Sequence, residues 1–177
     1  TTTISKEQYE HACARVKAEG LEDKVTLLCE DYRNLTGRYD KLVSIEMIEA
    51  VGHEFYQNYF QMCATLLKPE GKMVIQAITV ADQRYTSARD EVDFIKRYIF
   101  PGGCLPSIAV MADHVLRDTD MQIVHLRDIT ADYATTLAHW IATGIPLAII
   151  APVLWIMLQG PPEAALPFMA LGAIVNA

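Results

Sequence analysis

Clustered lysine and arginine are missing from these 177 residues. Fifteen basic side chains stand against 22 acidic ones, a formal charge of -7. Nucleic-acid binding needs grouped cations to displace the counterions on phosphate, so that partner class is excluded. No CxxC pair occurs. Cys13, Cys29, Cys63 and Cys104 are widely spaced, and they read as reduced thiols rather than a zinc or disulfide framework. The five histidines, His11, His53, His114, His125 and His139, show no ligand spacing, and no metal is expected. Signal-peptide patterning and internal repeats are also absent. Nor does any apolar run lead into a GxGxxG turn, the usual opening of a nucleotide-binding sheet. The chain starts with "TTTIS", which reads as the end of a strand and a helix cap. Either the fold is not nucleotide-binding, or the first strand and its glycine-rich loop lie upstream of Thr1.

Charge is scarce at one end. From Trp140 to Ala177 the only charged side chain is Glu163. "IATGIPLAIIAPVLWIML" is 18 residues without a charge, long enough for a membrane helix that Pro146 and Pro152 would kink. "AALPFMALGAIVNA", 14 residues, is too short to span alone. The expected division is a soluble domain over 1–139 and an apolar tail over 140–177, membrane-helical or foreign to the domain.

What is present in the first 139 residues alternates. Ser5 with Gln8 three positions on is a capping box, so a helix is predicted from Lys6 to Glu19, ending at Gly20. "VTLLC" (25–29) reads as a strand and "KLVSIE" (41–46) as a second. "EFYQNYFQMCATLLK" (54–68) has helical apolar spacing and stops at Pro69-Glu70-Gly71. "KMVIQAITV" (72–80) is a third strand. Residues 87 to 119 are helical and loop-like, interrupted by "FPGGCLPS". "MQIVHLRDI" (121–129) is a fourth strand, and "ADYATTLAHW" starts a helix. This order predicts an α/β fold with a parallel, doubly wound, Rossmann-like sheet.

One stretch carries chemistry. In "SIEMIEAVGHE" an apolar strand runs directly into Glu46 and Glu49. Ligands of open α/β sheets bind at the carboxyl edge of the strands, where these acids fall. A solvated loop charge is the plain alternative. His53, next to Gly52, reads as a helix-start residue rather than a base.

Six pieces, "TTTISKEQ", "EDYRNL", "YDKLVSIEMIEAVGHEFYQNYF", "LLKPEGKMVIQAIT", "YIFPGGCLPS" and "ADYATTLAHW", occur in order over residues 1 to about 140. Together they resemble the cyclopropane-fatty-acyl-phospholipid synthases, including the mycolic acid cyclopropane synthases. These are class I methyltransferases that use S-adenosylmethionine (SAM). "YIFPGGCLPS" and "ADYATTL" are the most specific. The resemblance implies a fold truncated at its N-terminus, followed by a tail that departs from the family near Trp140. It implies that Thr3, Ile4, Ser5 and Gln8 flank the ribose and methionine part of SAM. A strand end before a helix N-terminus offers the free N–H groups and short polar side chains for that. Glu30 and Asp31 correspond to adenine contacts, where an acceptor suits the exocyclic amine. Ile45 adjoins the cofactor.

By the same resemblance, Glu49 and Tyr133 hold a bicarbonate that acts as the base. Cys104 borders an acyl-chain channel. Gln76 stands where the cyclopropane-forming members usually carry histidine, and it cannot titrate near neutral pH. Glu46 occupies a place that is often small in the family and reads as incidental. The implied reaction is methyl transfer to the cis double bond of an unsaturated phospholipid acyl chain, giving a cyclopropane or a methyl branch. The implied setting is the cytoplasm, at the inner membrane surface. A small-molecule N- or O-methyltransferase is the second reading. A non-catalytic, membrane-tethered remnant is the third.

Overall fold

The computed structural model describes residues 1–93, 95–142 and 169–176. They fall into two units, Thr1–Arg38 and Tyr39–Ala177.

The first unit is built on helix α1, Lys6–Ala18. Ser5 is its N-cap, in extended backbone, with Oγ accepting from Gln8 N at 3.2 Å. Only half of the expected capping box forms. The Gln8 carboxamide oxygen accepts from the Thr3 hydroxyl at 2.8 Å, and Ser5 N donates to Thr3 Oγ1 at 3.1 Å. Gly20 ends the helix at φ 65°, a left-handed conformation that costs glycine nothing. Residues 25–29 do not form the predicted strand. They run extended beside Thr1–Thr3, with Leu28 N bonding Thr1 O and Thr3 N bonding Leu28 O. This ladder amounts to one parallel bridge, Thr2 to Leu28.

The second unit holds a four-stranded sheet in the order β1-β2-β4-β3. The strands are β1 (Tyr39–Ile45), β2 (Leu67–Thr79), β3 (Gln122–Asp128) and β4 (Met169–Asn176). β1 and β2 are parallel, as alternation predicts. β4 runs antiparallel to both β2 and β3, so the sheet is mixed rather than wholly parallel. β2 begins five residues before its predicted start. Leu67 pairs with Tyr39 and Lys72 with Lys41, so Pro69-Glu70-Gly71 form an irregularity inside the ladder instead of a stop before it.

β4 corrects the reading of 140–177 as a tail outside the domain. Its eight residues sit between two strands, pairing Ile174 with Val74 on one side and with His125 on the other. An uncharged run of this length is too short to span a membrane and suits a strand paired on both sides. Ile141 and Ala142 close helix α6; the rest of "IATGIPLAIIAPVLWIML" lies outside the described residues. Among the described residues no helix is long and apolar enough to cross a membrane.

The core lies between the sheet and two helices, α3 (Tyr56–Leu66) and α5 (Ile108–Asp118). Apolar residues of α3 recur at helical spacing, and Tyr56, Tyr59, Phe60, Cys63 and Leu66 are buried. β2 alternates strictly, turning Met73, Ile75, Ala77 and Thr79 inward. Met111 and Val115 of α5 close the layer. Burial pushes the Cys63 thiol up to about 12, so this cysteine is an inert core residue.

Candidate active site

β1 ends at Ile45, and the parallel pairing with β2 continues one step further through Glu46 N, which bonds Gln76 O at 2.8 Å. Glu46 then turns the chain at φ 47°. Left-handed backbone costs a non-glycine residue roughly 1 kcal/mol or more, so the surrounding structure must hold it there. The turn delivers helix α2, Ile48–Val51, which carries Glu49 in its first turn. Ile48 is fully buried and anchors that turn to the core.

The Glu49 carboxylate reaches across to β2. Its Oε1 accepts from Ile78 N at 2.6 Å. Its Oε2 is buried and has no partner, and no other buried side-chain nitrogen or oxygen among the described residues is in that condition. Burial raises the Glu49 pKa above its ordinary value, against the lowering from the Ile78 and own-backbone hydrogen bonds. The neighbouring Glu46 carboxylate adds to the rise. Glu46 itself is exposed, and its Oε1 accepts from Gln76 Nε2 at 3.2 Å.

Tyr133 arrives from α6, Thr130–Ala142. Asp128 starts that helix by accepting from both Thr130 N at 2.8 Å and Thr130 Oγ1 at 2.6 Å. The Tyr133 hydroxyl is raised by burial first, then by Glu46, then by Glu49. It is therefore a neutral donor across the ordinary pH range, in the field of both carboxylates.

A glycine-rich loop braces the site from behind. Cys104 N donates to Glu49 O at 2.8 Å. A Cβ on Gly103 would stand 3.3 Å from that carbonyl and 3.1 Å from Phe100 O. Gly52, at φ 82°, passes close to the same loop; a Cβ there would meet Gly102 O at 3.3 Å. Gly103 and Gly52 are thus required by close backbone approach, and Gly102 by its φ of 81°. Tyr56 completes the brace from the core, donating its hydroxyl to Cys104 O at 2.6 Å. The sequence signal for this support was present in "FPGGCLPS", but its contact with Glu49 spans some fifty residues and cannot be read locally. Tyr56→Phe leaves the Cys104 carbonyl buried without its donor. It should destabilise the fold by about 1–3 kcal/mol in denaturant unfolding, with little change of volume.

Sequence-predicted residues therefore separate into two groups. Glu49, Gln76 and Tyr133 all belong to the second unit, with Glu46 linking to each. Ile45, also there, is exposed on β1. His53 opens an exposed 3-10 turn. Cys104 is buried. Thr3, Ile4, Ser5, Gln8, Glu30 and Asp31 belong to the first unit. Thr3 and Gln8 line a small hollow with Tyr9 and Leu28. Ile4 is exposed. Asp31 is engaged locally: its Oδ1 accepts from Arg33 N and Nε and its Oδ2 from Nη2, holding its carboxyl at about 2. Glu30 is exposed, and its carbonyl accepts from the Thr2 hydroxyl at 2.5 Å. No group of three metal-ligating side chains occurs among the described residues.

Residues 1–144 match the family described as mycolic acid cyclopropane synthetase. The chain belongs to that family. A tuberculostearic acid methyltransferase of Mycobacterium tuberculosis is 40% identical over 140 residues, which are 79% of this chain and 33% of the relative. The cyclopropane-fatty-acyl-phospholipid synthase of Escherichia coli is 38% identical over 138 residues, 78% of this chain and 34% of that protein. The chain thus spans about a third of the length of the curated relatives it matches. Among solved structures, mycolic acid cyclopropane synthase CmaA1 in complex with SAH superimposes with a TM-score of 0.75 at 23% identity. That match covers 99% of this chain and 68% of CmaA1. At that identity it shows the fold, a class I methyltransferase α/β sheet. The cyclase SpnF superimposes too, with a TM-score of 0.66 at 15% identity, covering 99% of this chain and 63% of SpnF. Fold alone therefore does not name the chemistry, and the site has to.

Proposed function

We infer that the protein transfers a methyl group from SAM to the cis double bond of an unsaturated acyl chain in a phospholipid. The observation that carries this reading is the orphaned Oε2 of Glu49, a buried carboxylate oxygen at the carboxyl edge of β1 with no hydrogen-bond partner among the described residues. Such a group is costly in the resting protein and complementary to a cation. When bound, SAM supplies an electrophilic methyl group. Its transfer breaks an S–C bond, forms a C–C bond and leaves the positive charge on the neighbouring acyl carbon. Glu49 faces that charge, and the desolvation that raises its pKa is offset as the cation forms. The relatives' names, with a fatty-acid methyltransferase and a phospholipid synthase among them, support the acyl substrate.

The first unit's hydroxyls and carboxamide fit a ribose and an amino acid moiety. Thr3 and Gln8 line one hollow, and Ser5 fixes the helix N-terminus beside them. Glu30 and Asp31 would face the adenine; Oδ2 of Asp31 keeps one lone pair beyond its bond to Arg33. In the second unit, the exposed apolar side chain of Ile45 is the one that the resemblance sets beside the cofactor. Bicarbonate, implied by the resemblance, fits less well. Tyr133 is a suitable donor to it, but Glu49 and Glu46 would set two carboxylates against an anion. Action on bilayer phospholipid places the protein at a membrane surface facing the cytoplasm.

Expression from the natural gene, followed by mass spectrometry of fatty-acid methyl esters, tests the reading. Unsaturated chains should gain one CH₂, as a ring or as a branch. Unchanged acyl chains would overturn it.

A further inference from the structure

Glu46 looks incidental in the sequence and does not look so in the fold. It is the non-glycine residue with positive φ among the described residues, and glycine would occupy φ 47° without strain. The chain accepts the strain and sets a carboxylate beside β2. Gln76 meets it with a carboxamide N–H at 3.2 Å. Gln76 is fixed in turn by its place on β2, opposite Ile45 on one side and Gly172 on the other. The Tyr133 hydroxyl feels Glu46 more strongly than it feels Glu49. The carboxylate is exposed, at the carboxyl end of β1.

We propose that Glu46 is the general base of the reaction, oriented by Gln76, and that it takes the place of a bound anion. This rests on the methyl-transfer reading above. After transfer, the acyl cation must lose a proton from the newly added methyl group. That C–H bond breaks, its electron pair closes the third C–C bond of the ring, and the proton forms an O–H bond on Glu46. Solvent contact lets Glu46 release the proton and reset. The two acids then have separate tasks. Glu49, buried and unpartnered, opposes the charge; Glu46, reached by water and held by an amide, removes the proton. Gln76 is a positioning residue, and its inability to titrate suits that role, because the proton has its acceptor beside it.

The test uses the natural gene product with unsaturated phospholipid vesicles and SAM. Wild-type turnover should be unaffected by stripping dissolved carbon dioxide from the buffer. Glu46→Gln should lose about 10²-fold in turnover, with the KM for SAM unchanged. Glu46→Gly should lose as much while melting at a higher temperature, since it relieves the backbone strain. Added formate or bicarbonate should restore part of the Gly variant's rate and none of the Gln variant's, because only the Gly variant leaves room for a carboxylate. Gln76→Ala should lower kcat more than it changes KM. Wild-type rates in both Glu46 variants, or a wild-type rate that collapses without bicarbonate, would overturn the proposal. In those cases the methyl transfer itself still stands. Absence of any methyl addition by the wild type would overturn both.

Discussion

Glu49→Gln should lower turnover about 10²- to 10³-fold while the dissociation constant for SAM stays unchanged. The substitution keeps the shape and keeps an oxygen able to accept from Ile78 N. What it removes is the negative charge on a buried atom that has no other partner. A charge needed only when the acyl cation forms contributes to the transition state and not to the ground state, so kcat falls and binding does not. Turnover and calorimetric SAM binding on the same preparations check this. A variant with wild-type turnover would remove Glu49 from the chemistry.

The same residue has a measurable effect on stability with pH. Burial raises its folded pKa above the ordinary carboxyl value of 4.5. The folded state then holds this proton more tightly than the unfolded chain does. Any stability linked to it is complete below about 4.5 and is lost as pH rises through the folded value. Glu49→Gln does not titrate. The stability of wild type relative to this variant should therefore fall as pH rises from about 4.5 through the folded value and level off above it, in denaturant unfolding carried out at several pH values. A constant difference would mean that Glu49 is not desolvated.

How the protein meets its substrate edge was partly legible beforehand. β1 running into Glu46 and Glu49 is a local pattern, an apolar run ended by acids, and the fold keeps it. α1 and its Ser5 cap are local too. Three features depended on distant partners and were not readable. Residues 25–29 have strand composition, but they form a single bridge, Thr2 to Leu28. Pro69-Glu70-Gly71 has the chemistry of a stop, yet the ladder with β1 resumes around it. Met169–Asn176 has no alternation and no charge, because a strand paired on both sides in a sheet need not alternate. At the site, the identity of Glu49 could be carried by resemblance. Its missing partner, its brace from Cys104 and the Gln76 amide on Glu46 are contacts across thirty to fifty residues, and spacing in the sequence does not encode them.

The core that fixes this geometry rests heavily on one ring. Phe60 is fully buried in α3, edge-on to Tyr59 at 5.2 Å between centroids and stacked on His114 at 5.9 Å and 10°. His114 is itself held at its other end by Asp118, Nδ1 to Oδ2 at 2.6 Å, so it cannot swing into a vacated space without losing that pair. Tyr59 is tied by its hydroxyl to Ser44 Oγ at 2.7 Å on β1. Neither neighbour can collapse cheaply, and a cavity that cannot collapse carries its full penalty. Phe60→Ala should therefore destabilise the fold by about 3–5 kcal/mol, a large part of what a domain of this size possesses. Phe60→Leu should cost well under half of that, since it fills most of the volume. Denaturant midpoints of the two variants check the ordering. Equal losses would mean that ring stacking on His114, and not filled volume, is what Phe60 provides to the packing behind Ser44 and the strand that delivers Glu46.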